Sequence, residues 1–358
     1  MKLEFTDHRE APDAWAKALG VSRAAIDLYL ASEVIDLHID SFIWTRIFGY
    51  DLCKRHDEGL FGASFYSQVD FPRILEAHVT GATWVVTTNP LKVARERVTT
   101  FRDNLSELAA VFDRVPEQFA MVKNASEYRA ARAAGKHGAF FGIQGGNAVE
   151  ESREALDAVL DDRILRVTLV HLTQSGLGQT SSPLGSKGDT GITQRGREVS
   201  EQLNAKKIFV DLAHISKRGF WDALDHSDKT QPVLVTHTGV SGVHEHWRNL
   251  DDKQVKAVAG RGGTIGVMYE ASFLGDPKWG GKLSSVAAHI AHIIDVAGED
   301  YASLGSDWDG AIVTPRDMRT CLELPKLVQA LLDRGVSEVA VEKVLGANFL
   351  RVVEALRG

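Results

Sequence analysis

Cysteine is almost missing from this chain: Cys53 and Cys321 are the two among 358 residues. A scaffold of disulfide-stapled loops is thereby excluded, because such frameworks need several pairs at short spacings. No run reaches the roughly 18 to 20 uninterrupted apolar residues of a membrane-spanning helix. The opening MKLEFTDHREAPDAWAKALG carries charge where a secretory leader needs an apolar stretch. The closing VVEALRG lacks the hydrophobic tail of a lipid-anchor signal. Low-complexity linkers and internal repeats are missing, which removes tethered modules and solenoids. Basic excess is missing too: the net charge of -7 disfavours a phosphate-backbone partner. These absences lead us to expect a cytoplasmic protein with neither nucleic-acid nor membrane partners.

What is present is a rhythm. With 44% hydrophobic and 25% charged residues the composition is that of an ordinary globular chain. Short β-branched runs alternate with helical stretches, the pattern of parallel β/α architecture. Eight strands are expected: Val34–His38, Ala82–Thr88, Ala139–Gln144, Leu165–His171, Lys207–His214, Pro232–His237, Gly263–Tyr269 and Ala302–Asp307. Most are apolar until their last residues, as strands covered on both faces should be. Helices are expected over Leu91–Asp113, Ser152–Asp162, Thr193–Ala205, Ser216–Leu224 and Leu283–Val296, with Thr193 and Ser216 at N-cap positions. Residues 1–32 read as a helical preface and 321–358 as closing helices. Eight strand–helix units predict a closed (β/α)₈ barrel of the TIM type, one domain over 1–358. The missing GxGxxG after the first strand weighs against a dinucleotide-binding sheet.

Barrel active sites gather where strands end and loops leave the core. The expected ends carry His38 and Asp40, Thr87 and Thr88, Gln144, His171, His214, His237, Tyr269 and Asp307. Four of the 13 histidines fall there, which sets these four apart from the rest. His38 and Asp40, two apart on a strand, point to one face and could share a metal ion. An isolated HxD is more often a surface pair. Histidines ending the fifth and sixth strands converge on the same mouth, and that convergence is the metal signal. His244 and His246 read as loop residues, and His289 and His292 as neighbours on an outer helix. His8, His56, His78, His137 and His226 have no partner pattern.

At these positions the sequence resembles the membrane dipeptidase family, zinc-dependent enzymes that hydrolyse short peptides, from about Val34 to Val353. DLHID resembles the family's DxHxD, which implies His38 and Asp40 as ligands of one zinc. RVTLVH resembles RxLTLTH, implying that His171 polarises the scissile carbonyl. FVDLAHIS and VTHTG resemble VDxSHxS and xSHS, implying His214 and His237 as ligands of a second zinc. HWRNLDD resembles RNxxD, with Arg248 gripping the substrate carboxylate. GSDWDG resembles GxDFDG, with Asp307 as acid/base. GANFLRV resembles the family's GxNxLRV. Tyr269, ending the seventh strand, is added as a substrate contact.

One residue departs from the pattern. The family's GxEGG supplies a glutamate that bridges both zincs, and here FGIQGG places Gln144 there. A glutamine offers one amide oxygen and no charge, a poor bridge between dications. The expectation is zinc, as one or two divalent ions with the second site in doubt, and Gln144 stays among the candidate metal residues with His38, Asp40, His214 and His237. The function expected is metal-dependent hydrolysis of an amide bond in a dipeptide or dipeptide-like molecule. The alternative, motivated by Gln144, is a non-hydrolytic or metal-poor barrel that binds a peptide-like ligand or performs another reaction. Oligomeric state is left open, a homodimer included.

Overall fold

A computed structural model describes the chain except residues 60, 89–93, 152–155, 158–161, 186, 187 and 189. Among the described residues nine strands follow one another: β1 (Ile35–Ile39), β2 (Gly81–Thr87), β3 (Phe119–Met121), β4 (His137–Gln144), β5 (Ile164–Thr168), β6 (Phe209–Asp211), β7 (Leu234–Thr238), β8 (Thr264–Val267) and β9 (Ala302–Leu304). Every pairing is parallel. β1 pairs with both β2 and β9, and β2 also pairs with β4, so eight strands close into a ring. This is the expected barrel.

β3 was not foreseen. It pairs Phe119–Met121 with His137–Ala139 of β4, before β5 joins β4 at Phe141. A three-residue strand with one exposed and one half-exposed residue leaves no hydrophobic period to read. It sits at the N-terminal rim, outside the ring.

The helices cap as their sequences require. Thr193 accepts from the Gly196 N–H and opens Gln194–Ala205; Ser216 accepts from Gly219 and opens Lys217–His226. Helices Ala94–Asp113 and Leu283–Ala297 stand where expected. The first residues of the expected Leu91–Asp113 helix, and most of Ser152–Asp162, lie outside the described residues. The N-terminal segment forms helices Pro12–Leu19 and Arg23–Ala31, and the C-terminal segment ends in Asn348–Arg357.

That last helix closes the barrel floor. Phe349, Leu350, Val352, Val353 and Leu356 bury with Ile35, Leu37, Phe140, Leu165, Phe209 and Leu234. Arg351 donates to the carbonyls of Gly262, Gly263 and Asp300, at the feet of β8 and β9. Arg357 reaches those of Lys207 and Ile164, at the feet of β6 and β5. The floor is therefore sealed, and the opposite end holds the polar residues. Cys53 and Cys321 are buried and unbridged.

Four strands stop earlier than the sequence suggested. His171, His214, Tyr269 and Asp307 lie two or three residues beyond their strands. The backbone leaves the ladder there: His214 and Asp307 adopt left-handed φ values of 63° and 62°. An L-residue in that region breaks extended pairing.

Candidate active site at the barrel mouth

Three parallel strands bring the first carboxylate to its partners. Asp40 follows β1 directly, and Thr87 at the end of β2 donates to its Oδ1 at 2.6 Å. Gln144 at the end of β4 places its amide Nε2 3.2 Å from Asp40 Oδ2 and 3.2 Å from His171 Nε2. An amide nitrogen only donates. Both oxygens of Asp40 are thus engaged by protein donors, and His171 accepts at Nε2 with its ring proton on Nδ1. Gly145 turns the chain away after Gln144 with φ of 86°, a conformation that suits glycine.

The second pair is fixed from below. Thr236 gives its hydroxyl proton to Asp211 Oδ2 at 2.7 Å, so its oxygen accepts from His237 Nδ1 at 2.8 Å. This assigns the ring proton of His237 to Nδ1 and leaves Nε2 with a free lone pair. His214 Nε2 lies 2.7 Å away and donates to it.

Asp307 folds over β1, its N–H donating to the His38 carbonyl at 3.2 Å. Its Oδ1 stands 3.5 Å from His38 Nε2, and neither atom has a hydrogen-bond partner. Among the described residues, ligand atoms of His38, His237 and Asp307 lie within 4.8 Å of one another, all three buried. Two ligands at 2.0 to 2.2 Å on a tetrahedral ion are about 3.4 Å apart, so the His38–Asp307 gap suits a shared divalent cation. The donor set of two imidazoles and a carboxylate fits such an ion as well.

Beneath the mouth lies a charged hub. Arg166 and Asp211 form an ion pair of 3.1 Å with both side chains wholly buried. Arg166 Nη1 also donates to Thr168 and the Ile143 carbonyl, and Nη2 to His38 Nδ1 at 2.6 Å. A guanidinium cannot accept, so the ring proton of His38 sits on Nε2, facing Asp307. For Nε2 to ligate an ion as a neutral imidazole, that proton must pass to Nδ1 and the Arg166 contact must open. Gly142 makes room for this arginine, since a Cβ there would lie 2.9 Å from Arg166 Nε.

The electrostatics follow from burial. Desolvation pushes Asp40 up to about 7 and Asp307 well above the usual carboxylate range. Burial also drives His38, His214 and His237 well down, helped by Arg166 and Arg248, and takes His171 to about 4. Neutral imidazoles are what a metal ligand requires.

Arg248 reaches this cluster from the loop after β7. Its Nη2 donates to the His237 carbonyl at 2.6 Å, while Nε has no partner. Burial lowers its guanidinium to about 10, with Asp307 and Asp211 opposing the shift. With His214 and Trp247 it lines a cavity of about 200 Å³. Tyr269 is buried edge-on to Trp308, 5.5 Å between ring centroids, and its hydroxyl has no partner. Its ring meets Trp308 and its N–H bonds the Ser306 carbonyl, while the other eight residues expected at the site fall into two groups, Asp40 with Gln144 and His171, and His38 and Asp307 with His237, His214 and Arg248. His289 is buried and accepts from Val240, and His292 bonds Asp252.

Sequence reading missed Arg166 and Asp211 as parts of the site. The signal was there: each is a charge inside an apolar strand, and a buried charge is seldom tolerated without a partner.

Residues 22–357 match the membrane dipeptidase family, peptidase family M19. An uncharacterised protein from the pqqA 5' region of Klebsiella pneumoniae is 34% identical over 184 residues, 50% of this chain and 66% of that one. An uncharacterised dipeptidase of Schizosaccharomyces pombe is 30% identical over 226 residues, 62% of this chain and 54% of that one. The matches therefore span about two thirds and about half of these relatives. Among solved structures, a Rhodobacter sphaeroides metallopeptidase, liganded with a phosphinate mimic of L-Ala-D-Ala, superposes with a TM-score of 0.80. It is 23% identical, with 91% of this chain and 99% of that chain covered. A Pseudomonas aeruginosa amidohydrolase gives 0.75 at 24% identity, covering 93% and 99%. At such identities the structures speak for the barrel alone. The family match spans nearly the whole chain, and the chain belongs to the membrane dipeptidase family.

Proposed function

We propose that this protein hydrolyses the amide bond of a dipeptide or dipeptide-like molecule with the aid of a divalent metal ion, zinc by the resemblance of its motifs. The observation that carries the reading is the meeting of His38, His237 and Asp307 within 4.8 Å at the open end of a barrel whose floor is sealed. A bound divalent ion supplies Lewis acidity and an acidified water there.

The residues supply the rest. Arg248, with one guanidinium nitrogen unpartnered, is the group to hold a substrate carboxylate by charge-assisted bonds. His171, neutral at pH 7 and with Nε2 taken by Gln144, offers Nδ1–H to the scissile carbonyl oxygen. Asp307, whose unpartnered carboxylate oxygen faces the cluster, accepts the proton of the attacking water and returns it to the leaving amine. Tyr269 is assigned to the substrate side of the mouth. The Rhodobacter relative's L-Ala-D-Ala mimic makes dipeptides with a D-residue the first substrates to try. No described helix is long and apolar enough to cross a membrane, and two free buried cysteines fit a reducing cytoplasm.

A panel of L,L- and L,D-dipeptides, assayed with Zn²⁺, Co²⁺ or Mn²⁺ before and after chelation, tests the proposal. Turnover lost on chelation and restored by metal is expected. A metal-loaded enzyme that cleaves none of them, yet binds carboxylate-bearing peptides, would move a non-hydrolytic binding barrel ahead.

A further inference from the structure

The mouth divides into two halves with different hydrogen bonding. On one side, His38 Nε2 and Asp307 Oδ1 face each other at 3.5 Å with no protein partner, and His237, its ring proton fixed on Nδ1, turns Nε2 to the same cluster, where His214 donates to it. On the other, Asp40 has both oxygens occupied by Thr87 and Gln144, and the same Gln144 nitrogen binds His171. The DLHID motif pairs His38 with Asp40, yet the buried unpaired carboxylate oxygen at the cluster belongs to Asp307.

We infer that this chain holds one divalent ion, on His38, His237 and Asp307, and that Gln144 takes the place of a second by latching Asp40 to His171. The inference rests on the proposed metal-dependent function and adds which side chains hold the ion. Three arguments support it. The His38–Asp307 separation matches the edge of a tetrahedral shell, about 3.4 Å. His214 and His237 sit at 2.7 Å, a hydrogen-bond distance shorter than that edge, so the two do not ligate one ion together as placed, and an ion on His237 Nε2 takes the lone pair that now accepts from His214. Two dications near each other also need bridging anions, and the residue between Asp40 and His171 is an uncharged amide. Gln144 Oε1 is buried without a partner, so this latch leaves one acceptor facing the mouth.

The test counts metal in the full chain, stripped with chelator and dialysed against Zn²⁺ or Co²⁺. Elemental analysis of the wild type should give about one ion per chain, and the Co²⁺ form one visible absorption band set that saturates at that ratio. Asp307→Asn should lower the content towards zero, whereas Asp40→Asn should leave it near one. Gln144→Glu should raise it towards two. Two tightly held ions in the wild type, or a site emptied by Asp40→Asn and retained by Asp307→Asn, overturns the inference. Wild-type stoichiometry needs no variant, so a misfolded variant does not protect it. Hydrolysis is read separately: one ion without turnover defeats the proposed function and leaves the ion count standing, while two ions with turnover does the reverse.

Discussion

Arg248 and Arg166 are both buried arginines near the same histidines, and what their terminal nitrogens bind separates their roles. Both leave Nε without a partner, but Arg248 lines a cavity and spends Nη2 on the His237 carbonyl, whereas Arg166 spends Nη1 on Thr168, Ile143 and Asp211 and Nη2 on His38. Arg248→Ala should therefore raise KM for dipeptides with a free carboxylate roughly 10- to 100-fold, the scale of a lost charge-assisted contact. C-terminally amidated substrates should change little; equal losses for both would mean a structural role. Arg166→Met should instead cost roughly 3–5 kcal/mol of stability, because Asp211 is left as an uncompensated buried charge. Urea unfolding of the stripped protein measures this. A loss below about 1 kcal/mol would mean that Thr168 and Thr236 satisfy Asp211 without the arginine. The sequence made His38, Gln144, His214 and His237 legible because each ends an apolar run. It marked Asp211 only as a charge inside an apolar run, because a network of five donors cannot be read from spacing along one strand.

At the scale of strands, the alternation of apolar runs and helical stretches was enough to locate all eight members of the ring. Their ends were harder to place. Nothing in LVH or LAH announces that pairing stops at Thr168 and Asp211, because the histidines reach the mouth through irregular backbone that still follows the barrel. Asp307 was expected as an acid/base at a strand end, and its left-handed φ is what turns it towards His38. β4 also begins with a histidine that had no visible partner. His137 is buried, its Nδ1 bonds the Val79 carbonyl, and its Nε2 accepts from Trp84 Nε1 at 3.2 Å. Protonating Nε2 would break the link to Trp84, and burial lowers this imidazole to about 4. Between pH 6.5 and 4 the unfolded chain thus binds the proton that the folded one refuses. This contribution is fully present above about 6.5 and is lost as pH falls towards 4. The wild-type melting temperature should drop across that window, and His137→Gln should show a shallower drop. An unchanged slope in the variant would show that the other buried histidines carry the whole effect.

For the whole molecule, function at one end depends on closure at the other. The mouth can display polar groups because the apolar interior is sealed below by Asn348–Arg357, whose residues pack against members of β1, β4, β5, β6 and β7. Phe349 stands at the centre of that seal, wholly buried and edge-on to Phe140 with 5.6 Å between ring centroids. The sequence marked 321–358 as closing helices but could not say which strands they meet, since the contacts join residues more than a hundred positions apart. Removing the ring leaves a cavity that the barrel cannot collapse to fill, because the surrounding strands are hydrogen-bonded on both sides. Phe349→Ala should therefore cost about 3–5 kcal/mol, the range for a buried phenylalanine. The urea midpoint should fall with the slope unchanged, as expected when the native state loses packing and the unfolded state is unaltered. Metal content per folded chain should stay at the wild-type value, because Phe349 touches the floor and His38, His237 and Asp307 gather at the mouth. A stability loss below about 1 kcal/mol would show that the helix is a loose cover. Lost metal at unchanged stability would show that the floor sets the geometry of the mouth, and the separation of the barrel's two ends would then be wrong.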